Sequence, residues 1–173
     1  MIDLGIASGI DAQAFGQPGQ RTFRVRIVAG GESASLWMEK EHLLALSQAL
    51  RQMLAQLDFD DEQPPAEIAD FPVVASHDFR VGRLGLGYYA ADGTVILYAY
   101  ELGSAAEDDD EATLRARITQ PQVAALIARL DEVIAGGRPM CPLCGAPVNP
   151  EGHSCVRSNG HSQQPIPDDA GDE

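Results

Sequence analysis

Short stretches of alternating apolar and polar side chains occur early in the chain, and this pattern is typical of half-buried antiparallel strands. Residues 22–27 alternate in this way, residues 35–38 do so again, and Gly30-Gly31 separates the two stretches. The pattern predicts a β-hairpin. A preceding strand is predicted over residues 11–15, and it leads into the hairpin through a turn at residues 16–20 that contains Pro and Gly.

Apolar residues then recur at steps of three and four between Glu39 and Leu57, and this spacing predicts an amphipathic helix. The second half of the chain repeats the order of strands followed by a helix. Strands are predicted over residues 79–89, 94–102 and 112–118, and a second helix follows the last of them.

The second predicted helix starts with Thr119 as its N-cap and Pro121 in its first turn, and it ends at Gly136-Gly137. Its apolar positions align without gaps with those of the first helix: Leu43, Leu46, Leu50, Met53 and Leu54 fall on Val123, Leu126, Leu130, Val133 and Ile134. We predict an α+β fold in which an antiparallel sheet carries two helices on one face, and we interpret the repeat as a βββα duplication. The alternative is that any two amphipathic helices of this length align equally well.

Turn-rich segments divide the 173 residues into a main domain and an appendage. We predict an α+β domain over residues 1–137, a small metal-binding appendage over residues 138–161, and a disordered acidic tail over residues 162–173. No apolar run approaches the roughly 20 residues that a membrane span needs. The N-terminal residues lack the features of a signal peptide, so we expect a cytoplasmic protein.

The chain carries a formal net charge of −14. Affinity for a nucleic-acid backbone comes from clustered Lys and Arg, so this charge argues against a nucleic-acid partner.

All three cysteines lie in one short stretch, at Cys141, Cys144 and Cys155. Two thiols separated by two residues can reach one ion from a tight turn, and His153 and Cys155 are two residues apart, so both side chains of an extended segment point the same way. We predict a Zn²⁺ site formed by these four residues, with His161 as a rival for the fourth position. The alternatives are a redox-active cysteine pair and plain unligated thiols, but a redox pair is typical of a strand-to-helix junction in a βαβ unit.

A zinc ion held by four protein ligands is structural, because catalytic zinc keeps one position for water. Large apolar residues are few between positions 139 and 160, namely Met140, Leu143, Val148 and Val156. We therefore expect the metal to replace a hydrophobic core in this segment.

A second set of candidate residues lies on the face of the sheet that the helices leave open. If the apolar residues of the strands face the helices, five side chains face away and form an anion-binding or partner-binding surface: Arg24, Arg26, Trp37, Arg115 and Arg117. The alternative is an ordinary exposed face on which these arginines pair with carboxylates of neighbouring strands.

Two further patterns are weaker indications of a site. Gly82, Gly85 and Gly87 resemble a phosphate-binding loop, but no helix follows them, so we predict a bulged strand instead. His77 and Asp78 are adjacent, and adjacent residues on a strand rarely face each other, so we predict a loop histidine rather than an acid/base pair.

Three segments of the chain resemble a bacterial family called domain of unknown function 3090. They are residues 16–23 (GQPGQRTF), residues 79–88 (FRVGRLGLGY), and residues 137–145 (GRPMCPLCG) with their continuation at 152–160 (GHSCVRSNG). The resemblance covers nearly the whole chain. It departs from the expected pattern at Val156, where Pro is expected, and at His161, where an aromatic residue is expected; the second departure favours His153 as the metal ligand.

The resemblance implies little about activity, because the role of the family is not established. Its members are often encoded beside a histidine-phosphatase-like protein and a protein that resembles phosphoinositide kinases, which implies a phosphate-related pathway. We predict a non-catalytic, zinc-containing binding or adaptor protein that docks a protein partner or a phosphorylated small molecule. The alternative is an enzyme of phosphoryl or phosphoester chemistry that uses the arginine-bearing sheet face and His77 or Asp78.

Overall fold

A computed structural model describes residues 1–57, 69–104, 111–136, 141–146, 148 and 152–156. The chain divides into two compact units, Met1–Gly136 and Gly137–Glu173. The predicted tail at residues 162–173 and the rival ligand His161 lie outside the described residues.

The first unit contains a seven-stranded sheet and two helices. The strands are β1 (Ile2–Ile6), β2 (Gly9–Phe15), β3 (Thr22–Ala29), β4 (Glu32–Met38), β5 (His77–Tyr89), β6 (Thr94–Glu101) and β7 (Leu114–Ile118). The helices are α1 (Lys40–Gln56) and α2 (Gln120–Ala135). The predicted α+β class, the hairpins and both helices are therefore confirmed.

The strands lie in the order β1-β7-β6-β5-β4-β3-β2. β2, β3 and β4 form one antiparallel meander, and β5, β6 and β7 form another. β4 pairs with β5 in parallel, and β1 pairs with β7 in parallel. The sheet is thus mixed, and the prediction of an antiparallel sheet was only partly right. The reason is that α1 carries the chain from the end of β4 back to the start of β5, and a helical crossover of this kind produces parallel neighbours.

Each meander is followed by a helix, so the order of three strands and a helix occurs twice. The duplication that we inferred from this order stays an interpretation. β1 was not predicted. Ile2, Leu4 and Ile6 do alternate with Asp3 and Gly5, but the strand has only five residues and contains a glycine with a φ of 72°, which weakens the signal.

The core lies between one face of the sheet and the two helices. Alternate residues of β3 are buried and their neighbours are half-buried, and β7 shows the same alternation. The helices contribute the apolar residues that share one stripe, and the fully buried ones include Leu43, Leu50, Val123 and Leu130. Ser47 of α1 donates a hydrogen bond of 3.2 Å to Asp131 of α2, so the two helices lie side by side. Within the described part of the chain, no helix has the length and apolar character that a membrane crossing requires.

Candidate metal centre

The first half of the metal centre is a tight turn in the second unit. The backbone N–H of Gly145 donates to the carbonyl oxygen of Cys141 at 2.9 Å, and the N–H of Cys141 donates to the carbonyl oxygen of Ala146 at 2.8 Å. Gly145 has a φ of 71°, in the left-handed region that favours glycine. These bonds close the chain on itself, so Cys141 and Cys144 direct their sulfurs to the same place.

His153 and Cys155 form the second half. Cys144 Sγ lies 3.3 Å from His153 Nε2, and Cys141 Sγ lies 3.8 Å from Cys155 Sγ. One ligand atom from each of these four residues lies within 4.8 Å of every other. The four predicted residues are thus brought together, and their side chains can hold one metal ion.

The three cysteines form no disulfide bond. The Cys141–Cys155 separation of 3.8 Å is far longer than the roughly 2.05 Å of a disulfide bond. A hydrogen bond from the backbone of Ala146 lowers the pKa of the Cys144 thiol, but desolvation and the neighbouring sulfurs of Cys155 and Cys141 outweigh it, and the pKa is raised. The neighbouring sulfurs thus favour the protonated form of Cys144, and a bound cation reverses that preference.

Two of the predicted surface arginines, Arg24 and Arg26, lie on β3, with Trp37 directly opposite Arg24 on β4. Arg26 forms an ion pair of 2.7 Å with Asp11 of β2. Arg24 donates a hydrogen bond of 2.7 Å to Gln13, and its guanidinium lies 4.9 Å from the ring centre of Phe15 and 5.0 Å from that of Trp37.

The other two arginines, Arg115 and Arg117, lie on β7. Arg115 pairs with Asp3 at 2.5 Å, and Arg117 pairs with Asp92 at 2.7 Å. Three strands separate β7 from β3. At a spacing of about 4.8 Å per strand, the two arginine pairs are roughly 19 Å apart. The structure therefore does not bring the four arginines together at one point.

The structure also shows where the glycine-rich stretch of β5 and the neighbours His77 and Asp78 lie. The register of β5 shifts between Val81 and Arg83, which confirms the predicted bulged strand. His77 is the first residue of β5 rather than a loop residue, and its Nε2 lies 3.6 Å from a carboxylate oxygen of Glu32. Asp78 instead accepts a hydrogen bond of 2.9 Å from Trp37 Nε1. His77 and Asp78 thus serve different partners, as expected for neighbours on a strand.

Sequence reasoning missed the acidic partners of the arginines. Asp11 could have been found, because a hairpin that turns at residues 16–20 places it opposite Arg26. Asp3 gave no such signal, because it pairs with Arg115 through a parallel contact between strands 112 residues apart.

The fold and the site define an α+β protein whose C-terminal unit contains a cluster of three cysteines and a histidine. The chain belongs to the family described as "Protein of unknown function (DUF3090)", whose model matches residues 6–155 and so includes all four residues of the cluster. Among curated proteins we found no match to the chain, and among solved structures we found none either.

Proposed function

We propose that the cluster of Cys141, Cys144, His153 and Cys155 binds one structural Zn²⁺ ion. The observation that supports this most directly is the mutual distance of at most 4.8 Å among the four ligand atoms. A tetrahedral zinc site with Zn–S bonds of about 2.3 Å has sulfur atoms about 3.8 Å apart and sulfur and nitrogen atoms about 3.5 Å apart. The observed distances of 3.8 Å and 3.3 Å are close to these values.

The donor set favours zinc over other common ions. Thiolate and imidazole ligands suit zinc, whereas Ca²⁺ and Mg²⁺ prefer oxygen. Four protein ligands fill a tetrahedral shell and leave no position for a reactive water, so the proposed ion stabilises the second unit rather than catalyses a reaction. In the described part of this unit, Leu143 and Val156 are exposed, at 55% and 77%, and so do not provide a core.

We further propose that the protein as a whole is a non-catalytic binding or adaptor protein. The alternative enzyme needs arginines that converge with a carboxylate or histidine on one substrate atom. Three of the four arginines pair instead with neighbouring carboxylates, and Arg24 is held by Gln13 and two aromatic rings. Since three of these four charges are already matched, this face supports a protein partner better than a phosphorylated small molecule. A cytoplasmic location and the lack of a nucleic-acid partner stay predictions.

Elemental analysis of the purified protein tests the zinc proposal. We expect one zinc ion per chain in the native protein, and loss of that zinc in Cys141→Ser and in His153→Ala. His77→Ala is the matched control, because His77 lies in the first unit and should leave the zinc content unchanged. If His153→Ala retained zinc while His161→Ala lost it, His161 would be the fourth ligand; a native protein without zinc would overturn the proposal.

A further inference from the structure

The metal centre contains two close pairs of ligand atoms. Cys144 Sγ lies 3.3 Å from His153 Nε2, and Cys141 Sγ lies 3.8 Å from Cys155 Sγ. The second pair consists of two sulfurs, and two sulfurs can form a covalent bond. A disulfide bond of about 2.05 Å requires them to approach each other by about 1.8 Å. The arrangement that directs these sulfurs to one ion therefore also brings them close to bonding distance.

Cys144 is the third sulfur of the cluster, and its position differs from that of Cys155. Cys141 and Cys144 belong to the same tight turn, which the hydrogen bond from the Gly145 N–H to the carbonyl oxygen of Cys141 closes. A bond between these two sulfurs acts on the turn itself. Cys155 belongs to a separate segment of the chain, so its sulfur can approach Cys141 while the turn stays closed. The structure therefore favours Cys155 over Cys144 as the partner of Cys141.

The two sulfurs of this pair differ in their access to solvent. Cys141 is buried, whereas Cys155 is half-buried and its neighbours Ser154 and Val156 are exposed. Cysteines bind a metal as thiolates, and the thiolate is also the form that peroxides oxidise. An accessible sulfur beside a second, shielded sulfur is typical of cysteines that are oxidised reversibly, because the second sulfur captures the first oxidation product.

We propose that peroxide oxidises Cys141 and Cys155 to a reversible intramolecular disulfide and that this bond releases the metal ion. The inference rests on the zinc site proposed above and adds a means of control to it. The thiolate of Cys155 attacks one oxygen of hydrogen peroxide, breaks the O–O bond and becomes a sulfenic acid, and hydroxide leaves. The thiolate of Cys141 then attacks that sulfur, forms the S–S bond and displaces a second hydroxide. The two sulfurs thus lose two electrons, peroxide gains them, and both hydroxides take up protons to give water.

Disulfide formation removes two of the four ligands. Cys144 and His153 remain, and two protein ligands do not complete the tetrahedral shell of a structural zinc ion. In the described part of the second unit, Leu143 and Val156 are exposed, so apolar packing does not replace the lost ion. The core of the first unit contains none of the four ligands. The oxidation state of one sulfur pair therefore controls the order of the second unit alone, and a dithiol reductant together with Zn²⁺ restores it.

Treatment of the zinc-loaded full-length protein with hydrogen peroxide tests this inference. A chromogenic chelator measures the released zinc, free thiols are alkylated, and mass spectrometry locates the disulfide after cleavage at Glu151. We expect one zinc ion released per disulfide formed, a bond between Cys141 and Cys155, and alkylation of Cys144. Dithiothreitol with added Zn²⁺ should restore one bound ion per chain. Retention of zinc in excess peroxide, irreversible oxidation to sulfinic acid, or a disulfide between two chains would overturn the inference.

Two histidine variants that keep four ligands form a matched pair. Cys144→His leaves the sulfurs of Cys141 and Cys155 in place, so its peroxide-driven zinc release should stay within about twofold of the native rate. Cys155→His removes one partner of the bond, so release should slow by roughly tenfold or more. Similar rates in the two variants, or a native disulfide at Cys144, would contradict the inference. If either variant does not bind zinc, the disulfide map of the native protein decides. A native protein without zinc before peroxide is added would refute the zinc site itself, a result distinct from zinc that stays bound.

Discussion

Arg24 shows how a charged residue on the open sheet face is used for packing. Its guanidinium lies close to the rings of both Phe15 and Trp37, and these two rings are 5.5 Å apart. Burial, followed by the nearby charge of Arg26, lowers the pKa of Arg24, and Asp78 and Asp11 act in the opposite direction. Arg24 therefore stabilises the surface of the sheet through its aromatic neighbours, and it is not a free cation that awaits an anion.

The Arg24 stack leads to a prediction that fluorescence can test, because Trp37 is the only tryptophan. Arg24→Ala should shift the emission of Trp37 to longer wavelength, since water replaces the guanidinium beside the ring. The free energy of unfolding should fall by about 1 kcal/mol, as expected for a partly buried cation–π contact. Arg51→Ala is the control: Arg51 of α1 pairs with Asp131 of α2 at an exposed position away from Trp37, and its loss should change neither quantity appreciably. Equal effects of the two substitutions would contradict the packing role of Arg24.

Asp3 provides a prediction on pH dependence. Hydrogen bonds from Arg115, and then from the backbone N–H of Gly5, lower the pKa of Asp3 below its ordinary value of 3.8. A carboxyl group whose pKa is lowered by folding stabilises the folded state above its unfolded pKa, and it loses this contribution as the pH falls through the folded pKa. Asp3→Asn should therefore be slightly less stable than the native protein at neutral pH, and the difference should shrink as the pH falls below 3.8 and vanish below the lowered pKa of the folded state.

Urea unfolding at several pH values measures this difference. Asp70→Asn serves as the control, because Asp70 is an exposed carboxylate outside the strands. A stability difference for Asp3→Asn that persisted undiminished in acid would show that the carboxylate charge is not its cause.

At the scale of the elements, the start of α2 combines two local signals. Thr119 and Gln122 form a reciprocal capping box: the Gln122 N–H donates to Thr119 Oγ1, and Gln122 Oε1 accepts from the Thr119 N–H at 2.9 Å. The side-chain nitrogen of Gln122 also donates to the carbonyl oxygen of Ala7 at 2.8 Å in a buried position. The cap thus fixes the start of the helix and joins it to the segment that follows β1.

Thr119→Ala should lower the free energy of unfolding by about 1 kcal/mol, because it removes the hydroxyl that accepts from the first turn. Thr119→Ser retains the hydroxyl, so its free energy of unfolding should fall much less. Thermal or urea unfolding followed by circular dichroism measures both variants. The capping role would be refuted if the serine and alanine variants were equally destabilised.

The sequence could predict the elements far better than their arrangement. Alternation revealed β3 and its hairpin partner, and the leucine spacing revealed α1, because both patterns reflect which face of an element is buried. The parallel contacts of β4 with β5 and of β1 with β7 left no local trace, since pairing partners are chosen by the whole fold. For the same reason the cysteine spacing could indicate a metal site, while the carboxylates that neutralise Arg115 and Arg117 stayed hidden until the structure placed them.

At the scale of the whole molecule, the two units differ in what holds them together. The first unit has a continuous core between sheet and helices, in which residues such as Leu36, Leu97 and Leu126 are almost fully buried. In the described part of the second unit, Cys141 is the one buried apolar side chain, and it belongs to the metal cluster. If metal replaces a core in the second unit, then removal of metal should affect that unit and spare the first.

Chelation of zinc from the full-length protein tests this division. Trp37 lies in the first unit, so its fluorescence follows the unfolding of that unit. We expect its emission and its urea midpoint to stay unchanged when zinc is chelated, and also in Cys141→Ser. Amide hydrogen exchange should instead become fast at Gly145 and Cys141, because the turn bonds that they form depend on the proposed ion. Leu50→Ala is the converse control: it should destabilise the first unit by about 2–5 kcal/mol, through the cavity that it leaves, and keep the zinc content intact. A loss of sheet stability on chelation would show that the ion supports the whole molecule, and the proposed structural role would then extend beyond the C-terminal unit.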